Sequence, residues 1–121
     1  MIYIGFPATY NISYYRGDTY DFVINPKNSN GTAFNLSGYT GLFVIATERG
    51  NAESVITESA TASVNASAAT VTCSIPPSIG SQLSGTSYVY DIEITNSSTS
   101  ANYTLLTGTI TVTQDVARTG E

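Results

Sequence analysis

Two carboxylates, Asp91 and Glu93, stand two residues apart in a stretch where apolar and polar residues alternate. In a β-strand this spacing places both side chains on one face, roughly 6.6–6.8 Å apart. Two carboxylates at such a separation suit proton transfer in a glycosidase. The residues beside them on this face supply no desolvating surface that would raise a carboxyl pKa. The pattern therefore favours a solvated surface for Asp91 and Glu93 over a catalytic pair.

Other groups that catalyse reactions or hold metals are scarce in this sequence. Histidine is absent, which removes the commonest general base and the commonest transition-metal ligand, and leaves the serines without an activating partner. Asp18 and Asp21 lie near a turn, as calcium ligands do, but the D-x-D-x-D-G spacing is missing. Cys73 alternates with apolar residues and is expected to pack as a small apolar side chain. We expect a protein without enzymatic activity, cofactor or metal.

Two features point to binding at a host surface. The tripeptide Arg16-Gly17-Asp18 spells an adhesion motif of the integrin type, although Gly17 equally suits a tight turn between two strands. Nine tyrosines offer rings for stacking on sugars, but tryptophan is absent. A carbohydrate-binding or host-adhesion module is therefore kept as an alternative function.

Composition excludes several classes of partner. The chain has 4 Lys+Arg against 9 Asp+Glu, a net charge of −5. It lacks the basic surface that nucleic acids and anionic membranes require, so we expect neither as a partner. No apolar run is long enough for a transmembrane helix, and the apolar start lacks the basic residues of a signal peptide. The single Cys73 allows no internal disulfide, so the fold is expected to be stable without cross-links.

A β-hairpin is the clearest structural prediction. Residues 88–95 alternate between apolar and polar, five small polar residues follow, and residues 103–113 alternate again. This pattern is typical of two antiparallel strands joined by a turn. Gly108 falls on the apolar side of the returning strand, where a missing side chain suits a bulge or close packing.

The remaining chain is read as short strands with turns between them. Strands are predicted at residues 10–15, 19–24, 34–36, 42–47, 54–57, 60–64 and 69–75, with one helical turn at residues 78–83. Residues 42–47 lack polar alternation at their centre, which fits a strand covered on both faces or one whose outer face meets a partner. Seven to nine short strands predict an antiparallel β-sandwich, immunoglobulin-like in architecture, with an open β-barrel as the alternative.

Domain organisation and contact surface follow from these elements. We expect an N-terminal strand or docking arm plus first strand over residues 1–14, a β-sandwich domain over residues 15–118 and a tail at residues 119–121. Tyrosines with the parity of the core are expected inside: Tyr10, Tyr14, Tyr20, Tyr88 and Tyr90. Candidates for contact with partners are Tyr3, Phe6, Tyr15, Tyr39, Phe43, Ile45, Tyr103 and Arg118.

Three segments in order carry a family resemblance: YRGDTYDF at residues 15–22, FNLSGYT at 34–40, and YVYDIEIT at 88–95 with LLTGTITVTQDVAR at 105–118. The set resembles small immunoglobulin-like virion proteins of tailed bacteriophages. It is similar to the N-terminal domain of baseplate upper proteins and to tail-fibre and accessory modules. The resemblance implies a non-enzymatic structural protein that docks onto tail, baseplate, fibre or capsid subunits. It would be assembled in the host cytoplasm and present in many copies or as a symmetric homo-oligomer.

Overall fold

The computed structural model describes residues 7–28 and 30–114, apart from the side chain of Ser59. This part of the chain contains eight strands, one short helix and a 3₁₀ turn at Ala52–Ser54. The elements are β1 (Ala8–Thr9), β2 (Ile12–Tyr15), β3 (Tyr20–Ile24), β4 (Tyr39–Ala46), β5 (Val55–Asn65), β6 (Thr70–Ile75), α1 (Pro77–Gly80), β7 (Ser87–Asn96) and β8 (Ala101–Thr113). The prediction of an all-β protein is confirmed.

The strands form one sheet in the order β1-β8-β7-β4-β5-β6-β3, with β2 also beside β8. The sheet curls into a half-barrel around the core. Strand β5 makes this curl possible because it pairs with β4 near its start and with β6 near its end. Register shifts in the β4–β5 pairing add local twist at this corner. The two short strands predicted at residues 54–57 and 60–64 are therefore parts of β5.

The sheet is mixed, so the prediction of a purely antiparallel arrangement is wrong for its first two strands. Both β1 and β2 run parallel to β8, with Ala8 opposite Leu106 and Ile12 opposite Ile110. This pairing buries the alternate residues Ile12 and Tyr14 in the core. The predicted domain boundary after residue 14 falls inside β2, which belongs to the sheet. Residues 1–6 and 115–121 lie outside the described residues.

The predicted hairpin is confirmed as β7 and β8. Its strands pair antiparallel along their whole length, and a register shift after Ile92 leaves both Leu105 and Leu106 buried. Gly108 lies opposite Tyr90, and the space beside it is filled by the backbone of Tyr10. The prediction of close packing at Gly108 is therefore confirmed.

The core contains side chains from every strand except β1. Phe43 lies at its centre, with its ring centroid 5.5 Å from that of Tyr90 and 6.2 Å from that of Phe22. Cys73 is fully buried, as predicted, and burial raises the pKa of its thiol to about 12. The thiol therefore stays protonated and unreactive at neutral pH. The segment predicted as a strand at residues 34–36 is a loop, and its Phe34 and Leu36 also reach the core.

Aromatic side chains close the seam between the two edges of the curled sheet. Strands β2 and β3 follow one another in the chain but pair with β8 and β6, so their edges meet without pairing to each other. The Tyr10 and Tyr20 hydroxyls are 2.7 Å apart, and the Tyr10 and Phe22 rings lie 5.8 Å apart. The prediction that Tyr10 lies in the core is wrong: its ring is exposed because it covers this seam from outside.

This seam predicts a loss of stability in alkali. Desolvation, and then the hydrogen bond to Tyr10, raise the pKa of Tyr20 to about 12. Because the unfolded chain loses this proton near pH 10, the stabilisation is complete below pH 10 and is lost as the pH rises to about 12. Burial also raises the pKa of Tyr90. Tyr20→Phe should therefore reduce, without abolishing, the fall in unfolding free energy between pH 10 and 12.

Urea denaturation at a series of pH values measures this effect. Tyr15→Phe is the matched control, since this exposed ring lies on β2 next to the buried Tyr14, and it should leave the alkaline decline as in the parent. An equally steep decline in Tyr20→Phe and the parent would show that the seam tyrosine does not couple folding to pH.

Candidate functional site

An apolar groove lies on the outer face of the sheet, above β4 and β7. Alternation along β4 points Phe43 and Ile45 into the core. The residues that alternate with them, Leu42, Val44 and Ala46, point outward. The outward residues lie beside β7 side chains: Leu42 faces Glu93, Val44 faces Asp91 and Ala46 faces Val89. The outer face of an antiparallel sheet is usually polar, so a run of apolar residues there marks a surface of interest.

The loop between β4 and β5 forms one wall of this groove. The hydroxyl of Ser54 donates to the carbonyls of Glu48 and Asn51, both at 2.7 Å, and the side chain of Asn51 accepts from the Glu53 amide. Gly50 has a φ of +79°, which lets the loop turn tightly. Together with the sheet the loop encloses about 300 Å³. The floor and walls are formed by Val44, Ala46, Glu48, Arg49, Gly50, Asn51, Ala52, Val55, Val89, Tyr90 and Asp91.

Arg49 fastens the loop to the outer face of the hairpin. Its guanidinium pairs with Asp91 at 2.7 Å and donates to the Thr107 hydroxyl at 2.6 Å. It also donates to the carbonyls of Tyr90 and Gly108, at 3.1 and 3.2 Å. The Arg49 and Asp91 side chains are 48% and 35% exposed, so the ion pair is worth about 1 kcal/mol or less. Its main effect is positional, because five hydrogen bonds, one of which is the Arg49–Asp91 ion pair, hold this side of the groove in place.

Asp91 therefore has a different role from either predicted one. Its carboxylate accepts from Arg49 and from the Thr107 hydroxyl, so it anchors the loop and is not simply solvated. Glu93, its partner in the suspected pair, is partly exposed beside Leu42. The two carboxylates thus have different surroundings, because Asp91 pairs with a cation and Glu93 lies beside an apolar side chain. Sequence reasoning missed Arg49 because 42 residues separate it from Asp91.

The residues predicted to contact partners differ from one another in how far they are buried. Phe43 and Ile45 are 0% exposed, so their assignment to a contact surface is wrong. The run from residue 42 to 47 lacks alternation because its outward members are apolar as well. Tyr39 and Tyr103 are partly buried and form a ring cluster with Phe34, with centroids 5.6–6.2 Å apart.

The remaining predicted contact residues are Tyr3, Phe6, Tyr15 and Arg118. Tyr15 is exposed at the end of β2, away from the groove. Tyr3, Phe6 and Arg118 lie outside the described residues. In the segment 42–47 it is the outward side chains of Val44 and Ala46 that line the groove.

The adhesion tripeptide forms the tight turn from β2 to β3. The Asp18 amide donates to the Tyr15 carbonyl at 3.0 Å, and Gly17 has a φ of +89°. The guanidinium of Arg16 donates to the Ser81 carbonyl, and the hydroxyl of Tyr14 donates to the Asp18 carbonyl. These contacts make the tripeptide a structural element of the fold.

Within residues 7–28 and 30–114, no three acidic, Cys or His side chains come together as a metal site would require. In the same part of the chain, no helix has the length and apolar character needed to cross a membrane. Comparison with protein-family models and with curated proteins finds no match for this chain.

Proposed function

We propose that this chain is a non-catalytic structural protein of a tailed-phage virion, which docks onto a neighbouring subunit through the groove. The observation that carries this proposal is the apolar outer face of β4 and β5. Leu42 and Val55 are 37% and 38% exposed there, with Val44 and Ala46 beside them. Apolar residues gathered on the outside of a sheet, rather than scattered singly, mark a surface that a partner covers.

Strand pairing supports an immunoglobulin-like sandwich as the architecture of this module. Strands β5, β6 and β3 pair in the pattern of the first sheet of that fold, and β4, β7 and β8 in the pattern of the second. In this interpretation β5 joins the two sheets, which accounts for the half-barrel. The resemblance of residues 15–22, 34–40, 88–95 and 105–118 to phage virion modules agrees with this assignment.

Rigidity suits the groove to docking. Its floor lies on two central strands, and Arg49 and Ser54 tie down its loop wall by hydrogen bonds. A surface that is already ordered loses less conformational entropy when a partner binds. The partner would be a subunit of the tail, baseplate, fibre or capsid, in a particle assembled in the host cytoplasm.

A carbohydrate-binding or adhesion module is the second candidate, and exposed rings favour it. Tyr10 and Tyr15 both present large exposed surfaces near the seam. A glycan array on the purified chain separates the two functions. Reproducible glycan binding that Tyr15→Ala removes would support the second candidate, whereas a blank array supports the structural one.

Removal of apolar surface from the groove face should block assembly. We expect the double variant Leu42→Ser/Val55→Ser to fold but to be at least about tenfold depleted in purified particles of the phage that encodes the chain. The loss is expected because the contact would bury the exposed third of each side chain. Full burial of such a side chain contributes about 1.5–3 kcal/mol, so the exposed parts of the two side chains together contribute roughly 1–2 kcal/mol. Quantitative mass spectrometry of gradient-purified particles measures the incorporated amount.

Val23→Ser is the matched control for this experiment. Val23 is 60% exposed on β3, away from the groove, so its replacement should leave incorporation at the parental level. Parental incorporation of the groove variant would contradict docking through this face.

A further inference from the structure

The charges around the groove determine what kind of partner fits it. Glu48 lies on the loop wall of the groove, and Glu93 lies just outside the lining, beside Leu42 on the same face of the sheet. Neither carboxylate makes an ion pair with a described residue. Among the described residues, Arg49 is the one cation that lines the groove, and Asp91 already matches its charge. The unmatched charge at this surface is therefore negative.

The centre of the groove is apolar. Ala46 lies between Val89 of β7 and Val55 of β5, and Val44 lies two residues before Ala46 on the same face of β4. About 300 Å³ is at the low end of the volumes typical of small-molecule sites. A space of this size and lining suits apolar side chains that project from another protein, with charged neighbours reaching the acidic rim.

A second copy of this chain is a poor occupant when it presents the same face. A two-fold symmetric contact would bring two faces that each carry Glu48 and Glu93 against one another, and like charges across an interface disfavour association. The chain as a whole carries a net charge of −5, so a different face of a second copy also brings excess negative charge. Charge complementarity therefore favours a different, basic protein.

We propose that the groove accepts apolar side chains that another virion protein presents between Lys or Arg residues. This inference rests on the docking function proposed above and names the chemistry of the partner. The apolar side chains fill the space above Val44 and Val89. The flanking cations approach the Glu48 and Glu93 carboxylates and give the contact its specificity.

A peptide titration of the purified full chain tests the proposal. The probe is acetyl-Lys-Leu-Lys-Leu-Lys-amide, compared with the same peptide carrying Glu in place of Lys and with one carrying Ser in place of Leu. We expect the first to shift the amide resonances of Val44, Ala46 and Val89, with at least about tenfold higher affinity than either comparison peptide. Salt should reduce its advantage over the acidic peptide, because at 1 M ionic strength charges are screened within about 3 Å.

Charge reversal in the protein is the decisive variant. Glu48→Lys/Glu93→Lys should reverse the preference, so that the acidic peptide binds more tightly than the basic one. Both side chains lie at the surface, and unchanged circular dichroism and melting temperature would show that the fold is intact. Equal affinity for the two charged peptides, binding of neither, or self-association of the parent chain through this face would overturn the proposal.

Incorporation of the two variants into phage particles distinguishes the basic-partner proposal from the docking function on which it rests. If Leu42→Ser/Val55→Ser blocks incorporation and Glu48→Lys/Glu93→Lys does so as well, the basic partner is supported. If the first variant blocks incorporation and the second does not, docking stands and the basic partner is refuted. If the first variant is incorporated normally, docking through the groove itself is refuted.

Discussion

Gly108→Ala is expected to lower the unfolding free energy by roughly 3 kcal/mol, because the new methyl group would collide with backbone. A Cβ at this position would lie 2.9 Å from the carbonyl carbon of Tyr10 and closer still to its oxygen. The same carbonyl accepts from the Tyr90 hydroxyl, and the side chain of Asn11 accepts from the Thr109 amide at 3.1 Å. The first strands must move away from β8 to make room, which breaks these bonds.

Two measurements check this prediction. Chemical denaturation gives the free energy, and hydrogen exchange of the amides of β2 reports whether the strand has separated from β8. Gly31→Ala is the control: nothing lies within 4 Å of its Cβ position, so its φ of +88° limits the cost to about 1–2 kcal/mol. A loss in Gly108→Ala no greater than in the control would show that the first strands do not depend on this close approach.

Phe43→Ala is expected to cost about 3–5 kcal/mol, as large-to-small changes of buried aromatic residues do. Phe43 is fully buried and packs against both Phe22 and Tyr90. Domains of this kind have total stabilities of about 5–15 kcal/mol, so the variant would retain a small margin. The neighbouring Val44→Ala should cost about 1 kcal/mol or less, because Val44 lies on the outer face and is partly exposed.

The pair of variants distinguishes a core position from a contact position. Urea denaturation should rank Phe43→Ala far below Val44→Ala, while incorporation into particles should fall for Val44→Ala despite its retained stability. If Phe43→Ala kept its stability and lost only incorporation, Phe43 would belong to the contact surface, as its sequence pattern first suggested.

The hairpin of β7 and β8 was predictable because its information is local. Alternation in each strand and a turn of small polar residues specify the pairing within 27 residues. The parallel pairing of β2 with β8 was not predictable from the sequence, because it joins residues 98 positions apart and depends on the curl of the sheet. Strand β5 was divided in two because its Ser and Thr residues weaken the apolar pattern, although pairing with two different neighbours keeps it continuous.

The candidate site was predictable only in part. The lack of alternation at residues 42–47 allowed either a strand covered on both faces or one that meets a partner, and the structure buries its inward residues while leaving Leu42 exposed. The wall of the groove escaped prediction because Arg49 reaches Asp91 across the fold. The loop TERGNAES at residues 47–54 has no periodicity from which such a contact follows.

Photo-crosslinking inside assembled particles tests docking most directly. A benzophenone amino acid would replace Val55 at the groove in one variant and Val23 on β3 in another. Docking through the groove predicts that Val55 yields an adduct with a different virion protein, at a segment rich in Lys or Arg, and that Val23 yields none. An adduct from the Val23 position with no adduct from the Val55 position would contradict it.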